Sequence, residues 1–377
     1  MILGSPSCCI PRCPRVYVTF PHNSKASPMP LPDPQPDAGA VLHRPMRVAA
    51  IGGGTGLSTL LRGLRRYVIV TGGPSANDSG LIADLAAVVT VTDDGGSSGR
   101  LRKDFNMLPP GDLRNCMVAL SEEEDLLAQL FAYRFRKGDS LKGHNFGNIF
   151  VAALTEITGD FARAIQLASK ILATRGRIYP VTTANATLVA RMEDGSLVRG
   201  ETMITASRKH IVELTLDPVD AAPLPEALEA IERADLITVG PGSLYTSLIC
   251  NLLVQGIPSA LASAHGVRVY ICNLMTQANE SLGLTASQHI ERIYEHTRAS
   301  IFDYALVNTE PFTPETLARY AAQGASPIEA DIDRIEALGV HCIPGNFASE
   351  DSVVRHAAGR VTDALMALGQ AAIAGRA

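Results

Sequence analysis

A short apolar run, Val48-Ala49-Ala50, leads directly into Ile51-Gly52-Gly53-Gly54-Thr55-Gly56-Leu57-Ser58. No other feature constrains the fold as strongly. Glycines crowded behind a buried strand predict a tight turn into a helix, here Leu57 to about Arg66. The first turn of a helix has unpaired N–H groups and a partial positive charge, which together suit a phosphate. Glycine lets the backbone approach such a ligand with no Cβ in the way. Thr55, Ser58 and Thr59 add hydroxyls, so Gly52, Gly53, Gly54, Thr55, Gly56 and Ser58 are candidate phosphate-binding residues. The spacing departs from a dinucleotide fingerprint: Gly52 and Gly54 fill the first two positions of Gly-x-Gly-x-x-Gly, but Leu57 stands at the third. No Gly-Lys-Ser/Thr follows, which argues against a Walker-type NTPase.

From Met46 onward, strand-like runs alternate with helical periodicity. Candidate strands are Val48–Ile51, Val68–Val70, Val88–Val91, Leu236–Val239, Val269–Cys272 and Tyr304–Val307. Several are near-continuous in Val, Ile and Ala, as expected when both faces of a parallel sheet are covered. The expected fold is α/β, a Rossmann-like doubly wound and mostly parallel sheet. Residues 177–218 break the pattern with alternating runs and turn signals, and read as a small inserted antiparallel β subdomain. The core is then split into 46–176 and 219–367, with sheet periodicity fading beyond Asn308 and a flexible tail at 368–377.

Residues 1–45 differ from the rest. They are rich in proline, carry Cys8, Cys9 and Cys13, and show no period. Such a stretch is expected to be disordered, or translation starts at Met46. It lacks the basic and apolar regions of a signal peptide. The other cysteines, Cys116, Cys250, Cys272 and Cys342, lie far apart without metal-ligand spacing and read as free buried thiols. That pattern suits a reducing compartment and makes the cytoplasm the expected location. A net charge of −5 and the absence of tryptophan give no footprint for nucleic acid. No apolar run approaches a membrane span, so no membrane insertion is expected. A homo-oligomer stays open.

Three further clusters could carry chemistry. Gly240-Pro241-Gly242-Ser243-Leu244-Tyr245-Thr246-Ser247 follows the strand Leu236–Val239 and leads into a helix over Leu244–Val254. Gly240, Gly242, Ser243, Tyr245 and Thr246 are candidates for a second anion or sugar contact, ordinary helix capping being the alternative. In open parallel sheets, ligands bind beyond the carboxyl ends of strands, where the winding reverses. After Val88–Val91 comes Thr92-Asp93-Asp94-Gly95-Gly96-Ser97-Ser98-Gly99-Arg100. Asp93 and Asp94 could meet ribose hydroxyls or a divalent metal, while Ser97 and Arg100 could meet phosphate; a solvated Asp-Gly turn is the alternative. Downstream, Arg114 and Asn115 open a helix, and Gly143-His144-Asn145-Phe146-Gly147-Asn148 sets His144 and Asn148 at the start of another. Asn273, Thr276 and Gln277 end the strand Val269–Cys272 and should face the same crevice. No serine-histidine-aspartate order, cysteine nucleophile or zinc spacing stands out.

Five motifs occur here in order: Gly-Gly-Gly-Thr-Gly-Leu-Ser, Asp-Asp-Gly-Gly-Ser-Ser-Gly-Arg-Leu-Arg, Leu-Pro-Pro-Gly-Asp-Leu-Arg-Asn-Cys, Gly-Pro-Gly-Ser-Leu-Tyr-Thr-Ser and Asn-Leu-Met-Thr-Gln. Together, over about Met46 to Ala367, they resemble the bacterial gluconeogenesis factor family, a branch of the 2-phospho-L-lactate transferase superfamily. The resemblance implies a Rossmann-like cytoplasmic protein that binds a UDP-sugar, such as UDP-N-acetylglucosamine, and serves cell shape and wall synthesis during gluconeogenic growth. The related transferases use a nucleotide-activated donor and Mg²⁺. Carried over, Gly53, Thr55 and Gly56 would contact the phosphate region, and Asp93 and Asp94 would be the metal candidates if a transfer occurs. Two stretches depart from the family: Thr276-Gln277-Ala278-Asn279-Glu280-Ser281 where Thr-Gln-Pro-Gly-Glu-Thr is usual, and a longer Gly72–Leu81 segment.

Three functions follow for testing: a nucleotide-sugar-binding regulator without turnover, a phospholactyl- or nucleotidyl-type transferase, and an NAD-dependent oxidoreductase. Leu57 weakens the third.

Overall fold

The structure is a computed structural model and describes residues 44–69, 80–121, 126–207, 209–277 and 280–375. The first half of the chain runs β1 (Met46–Gly52), α1 (Gly54–Leu64), β2 (Ile82–Val89), α2 (Gly96–Phe105), α3 (Gly111–Leu120), α4 (Leu126–Ala132), α5 (Phe146–Thr158), α6 (Phe161–Ile171) and β3 (Arg177–Pro180). Next come β4 (Thr187–Met192), β5 (Leu197–Arg199), α7 (Glu201–Ala206), β6 (Ile211–Asp217), α8 (Pro225–Glu232) and β7 (Leu236–Val239). A π-helical turn (Leu244–Ile249) then continues into α9 (Cys250–Leu252) and α10 (Ile257–Ser263). The chain finishes with β8 (Val267–Ile271), α11 (Ala286–Thr297), β9 (Tyr304–Asn308), α12 (Pro314–Ala321), α13 (Ile332–Ala337), β10 (His341–Gly345), β11 (Ala348–Glu350), β12 (Val354–His356) and α14 (Ala358–Ala374).

Seven strands form one parallel sheet in the order β10-β9-β8-β7-β1-β2-β3. From β1 the chain winds outward through β2 to β3, then returns to β7 on the other side of β1 and winds outward again. The winding reverses between β1 and β7, which is where an open α/β sheet forms its ligand crevice. The central strands explain their own position: Val48, Ala49, Ala50 and Ile51 are buried, as are Leu236, Ile237 and Val239. Helices cover the sheet, with α1 packed on α3 and α14, and α8 on α10. The expected Rossmann-like architecture is the observed one.

The three-stranded antiparallel sheet, β5-β4-β6, accounts for the insert but begins later than its turn signals suggest. Arg177–Pro180 belongs to the main sheet, pairing with Ala86–Val89 of β2. At the opposite edge, β10 is a seventh strand in a region that showed no sheet periodicity. Both edge strands are short and contain proline, Pro180 and Pro344. An edge tolerates a missing N–H, and one-sided cover leaves no long apolar run to read.

Three further boundaries change. Val68 makes an isolated parallel bridge to Ile82, and Val70, the end of the expected strand, lies outside the described residues. The tail from 368 is helical to Ala374, and Leu368 and Gly369 are buried; a Cβ at Gly369 would meet Met46 Sδ at 2.7 Å. Arg44 is already tied to the fold, its guanidinium pairing with Asp235 at 2.7 Å. Residues 1–43 of the extension expected to be disordered over 1–45, residues 72–79 of the long Gly72–Leu81 segment, and Ala278-Asn279 lie outside the described residues. Among the described residues, no single helix is long and apolar enough to cross a membrane.

Candidate functional site

β1 and β7 end side by side, and each runs straight into a glycine turn. Gly53 caps α1 in extended conformation with no side-chain capping bond, and Gly54 follows at φ +60°. After β7, Gly240 sits at φ +96° and Ser243 opens the π-helical turn. These positive φ values are a glycine requirement. The two turns touch: a Cβ on Gly56 would run into the Pro241 carbonyl, and one on Gly53 would lie 2.5 Å from Thr90 Cγ2 and 2.9 Å from Asp112 Oδ2. Asn251 Nδ2 ties them again, donating to the Gly52 carbonyl at 3.1 Å and to Ser247 O at 2.7 Å.

Between the turns opens a cavity of about 530 Å³, in the size range of small-molecule sites. Of the candidate residues, Gly53, Gly54, Thr55, Gly56, Gly242, Ser243, Asn273, Thr276 and Gln277 line it. Gln277 Nε2 donates to Ser243 Oγ at 2.9 Å, and Gly242 N–H donates to Asn273 Oδ1 at 3.3 Å, so the β8 end braces the second turn. Beyond Thr55 and Thr59 the cavity adjoins another of about 610 Å³, lined by Ser58 and by Arg62, Arg355 and Arg360.

Other candidates support the walls from behind. Gly52 and Gly240 are packed under the turns, and Tyr245 and Thr246 are buried in the π-helical turn. Thr246 Oγ1 donates to Glu280 at 2.9 Å, and the N–H groups of Tyr245 and Thr246 donate to the same carboxylate at 3.3 and 3.5 Å. Glu280 therefore caps that turn from a distant segment, a role its position in the sequence did not suggest.

A second group gathers beside the crevice, off its lining. Ser97 Oγ accepts the Asn145 N–H at 3.2 Å and lies 3.2 Å from His144 Nδ1. Asn145 caps α5 by accepting Asn148 N–H, and Arg114 Nε donates to Asn148 Oδ1 at 3.3 Å. Arg100 donates to the Lys142 carbonyl at 3.1 Å, and Asn115 is half-buried on α3. Ser97, Arg100, Arg114, His144 and Asn148 thus join α2, α3 and α5 to one another. Burial lowers the His144 pKa.

The acidic pair at the end of β2 is committed to the backbone. Asp93 Oδ1 accepts Gly95 N–H at 2.9 Å, and Asp94 Oδ1 accepts both the N–H and the hydroxyl of Thr202, at 2.8 and 2.6 Å. Asp94 so fastens α7 and the small sheet to the core. Among the described residues no group of three or more His, Cys, Asp or Glu is arranged to hold a metal ion. Asp93 and Asp94 each give one oxygen, Oδ1, to these bonds, so a divalent ion held at the pair would be met through their Oδ2 atoms.

Two other carboxyl groups matter more. Asp112, in the first turn of α3, lies against the Gly53 turn, where a Cβ on Gly53 would meet its Oδ2 at 2.9 Å. Burial and then the Asp93 charge push its pKa up to about 6, against the pull of the Gly54 backbone and Arg114. Glu201, at the start of α7, lines the cavity. Burial, followed by Asp93, Asp112, Glu280 and Asp94, pushes its pKa up to about 9. Leu274, Met275, Tyr320 and Val353–His356 also line the cavity and were not candidates: most of these residue types carry no ligand signal, and Arg355 and His356 follow no glycine turn that would mark them.

Residues 48–348 match the family described as 2-phospho-L-lactate transferase CofD. The chain belongs to this family. Within the family it is 47% identical over 320 residues to the gluconeogenesis factor of Halalkalibacterium halodurans, a match covering 85% of this chain and 95% of that one. It is 42% identical over 323 residues to the gluconeogenesis factor of Bacillus subtilis, covering 85% and 98% respectively. A crystal structure of a Bacillus halodurans protein superposes with a TM-score of 0.80 at 46% identity, covering 86% of this chain and all of that one. The family resemblance carried by the five motifs holds over residues 48–348.

Proposed function

We propose that the crevice between the β1 and β7 turns binds a nucleotide-sugar of the UDP-N-acetylglucosamine type. On this reading the protein is a cytoplasmic regulator of cell shape and wall synthesis during gluconeogenic growth and does not turn its ligand over. One observation carries the proposal: two glycine-hydroxyl turns converge at the single switch point of the sheet and share one cavity. The lining supports binding over acid-base chemistry. It offers hydroxyls and amides from Thr55, Ser243, Asn273, Thr276 and Gln277, and Glu201 is its one carboxylic acid among the described residues. A carboxyl with its pKa near 9 stays protonated at neutral pH and is no general base there.

A transferase on the same scaffold is the second reading, favoured by the family description and by how little side-chain chemistry such a transfer needs beyond positioning and charge stabilisation. Calorimetric titration with UDP-N-acetylglucosamine, GDP and NAD, each with and without Mg²⁺, separates the alternatives. Metal-independent binding of the UDP-sugar supports the regulator, and metal-dependent binding of GDP supports the transferase. Binding of none of the three overturns the nucleotide reading itself.

A further inference from the structure

One glycine sets how closely α1 and α14 pack. A Cβ on Gly63 would meet Thr362 Cγ2 at 2.6 Å and the Ala358 carbonyl at 3.0 Å. The close approach brings the arginines of α1 to the amino end of α14. Arg62 lines the cavity of about 610 Å³ together with Arg355 of β12 and Arg360 of α14. Arg66, just past α1, has a guanidinium nitrogen 4.0 Å from where a Cβ on Gly359 would stand. Three elements thus present guanidiniums to one space, and Asp351 is the one acid in its lining among the described residues. Arg360 is held in place without being neutralised. It donates to the Asn346 carbonyl at 2.6 Å, to Asn346 Oδ1 at 3.0 Å and to the Ala348 carbonyl, all uncharged acceptors. Among the described residues neither Arg355 nor Arg360 is in an ion pair. Asp351 is engaged by Ser349, whose hydroxyl donates to it at 3.2 Å. The amino end of α14 adds to the positive potential, since no side chain caps it and its first turn holds no acid.

We propose that this cavity is a second anion site, separate from the crevice, which takes the phosphate group of a small hydroxylated phosphomonoester. The proposal goes beyond the nucleotide-sugar reading and holds or fails without it. A phosphomonoester carries close to two negative charges at neutral pH and three acceptor oxygens, which guanidinium forks meet in pairs. A carboxylate offers one charge and two oxygens, too few to engage guanidiniums from three elements. The volume leaves room beyond the phosphate, where Ser349 and Asp351 supply polar groups for hydroxyls on the rest of the molecule. Arg62 and Arg360 belong to this lining alone, while Thr55, Thr59, Arg355 and His356 form the wall shared with the crevice.

The test titrates the full chain by calorimetry with inorganic phosphate and with glycerol 1-phosphate, in EDTA and at constant ionic strength. Glycerol is the uncharged control. Both anions are expected to bind one-to-one, and glycerol not at all. Binding that persists in saturating UDP-N-acetylglucosamine supports a separate site. Full competition means that one ligand spans both cavities, and overturns it. Arg360→Gln is expected to weaken glycerol 1-phosphate by roughly tenfold or more, the scale of one lost charge-assisted contact. Arg355→Gln is expected to do the same, and decides the matter should loss of the Asn346 contacts keep Arg360→Gln from folding. No binding of either anion by the wild type, or unchanged affinity in the glutamine variants, overturns the proposal. Failure of the UDP-sugar to bind counts against the nucleotide-sugar reading alone, because the phosphate titrations stand without it.

Discussion

Asp112 lies directly against the Gly53 turn, its Oδ2 within 2.9 Å of where a Cβ on Gly53 would stand. That position has a cost, because burial and Asp93 raise the native pKa of Asp112 to about 6 from an ordinary 3.8. Between those values the unfolded chain has released the proton that the native protein still holds. Stability therefore falls as pH rises from about 4 to 6 and is flat above, as far as this group is concerned. Asp112→Asn removes the penalty, and its unfolding free energy at pH 7.5 is expected to exceed that of the wild type by about 1–3 kcal/mol. Urea unfolding at pH 4.5 and 7.5 measures it, and a variant less stable than the wild type at pH 7.5 counts against this account.

Gly56 and Thr55 are neighbours with different jobs. Gly56 faces the Pro241 backbone with no room for a methyl group, while Thr55 is exposed at the crevice. Gly56→Ala is expected to force the two turns apart and lower stability by about 2–3 kcal/mol. Thr55→Val should keep the melting temperature within a few degrees and weaken nucleotide binding. Thermal unfolding of the two single variants checks the split, which the glycine motif alone does not reveal.

How much of this was legible follows from what each residue type signals. Glycines and hydroxyls behind a buried strand announce a turn, so both crevice turns and the Rossmann-like frame could be read from Gly52–Ser58, Gly240–Ser247 and the apolar runs before them. The edge strands β3 and β10 could not, because each is short, half-covered and interrupted by proline. Asp93 and Asp94 carried the right chemistry for a metal, but their second use, fastening Gly95 and Thr202 through Oδ1, was not legible because Thr202 comes from a distant segment. Glu201, Asp112 and Glu280 were passed over because an acid's role depends on what surrounds it, and their surroundings come from segments far away in sequence.

Glu280 holds the second turn. Its carboxylate accepts from Thr246 Oγ1 and from the N–H groups of Tyr245 and Thr246, and the site is buried. Glu280→Ala strands these donors and is expected to cost about 2–4 kcal/mol, with Glu280→Gln costing less because its amide oxygen still accepts. Amide hydrogen exchange should show faster opening over 244–249 in Glu280→Ala. Unchanged protection there contradicts the capping role.

His356 gives the fold an acid limit. Its Nε2 donates to the Cys272 carbonyl at 3.0 Å, and burial lowers its pKa from 6.5 to about 4. The unfolded chain then takes up a proton that the native histidine refuses, so its contribution to stability is lost as pH falls from about 6.5 to 4. The loss is up to about 3 kcal/mol, and Asp112 acts with the opposite sign over part of the same window. Subtracting the unfolding profile of His356→Gln from that of the wild type isolates it, and a flat difference between pH 6.5 and 4 contradicts the assignment.

The central claim is that the crevice between the β1 and β7 turns is a nucleotide-sugar site. Calorimetric titration of the full chain and of Thr55→Val with UDP-N-acetylglucosamine in EDTA tests it most directly. The account predicts saturable one-to-one binding by the wild type, weakened roughly tenfold or more in Thr55→Val, with both proteins melting within a few degrees of each other. No heat of binding in the wild type, or equal affinity in the two proteins, contradicts it.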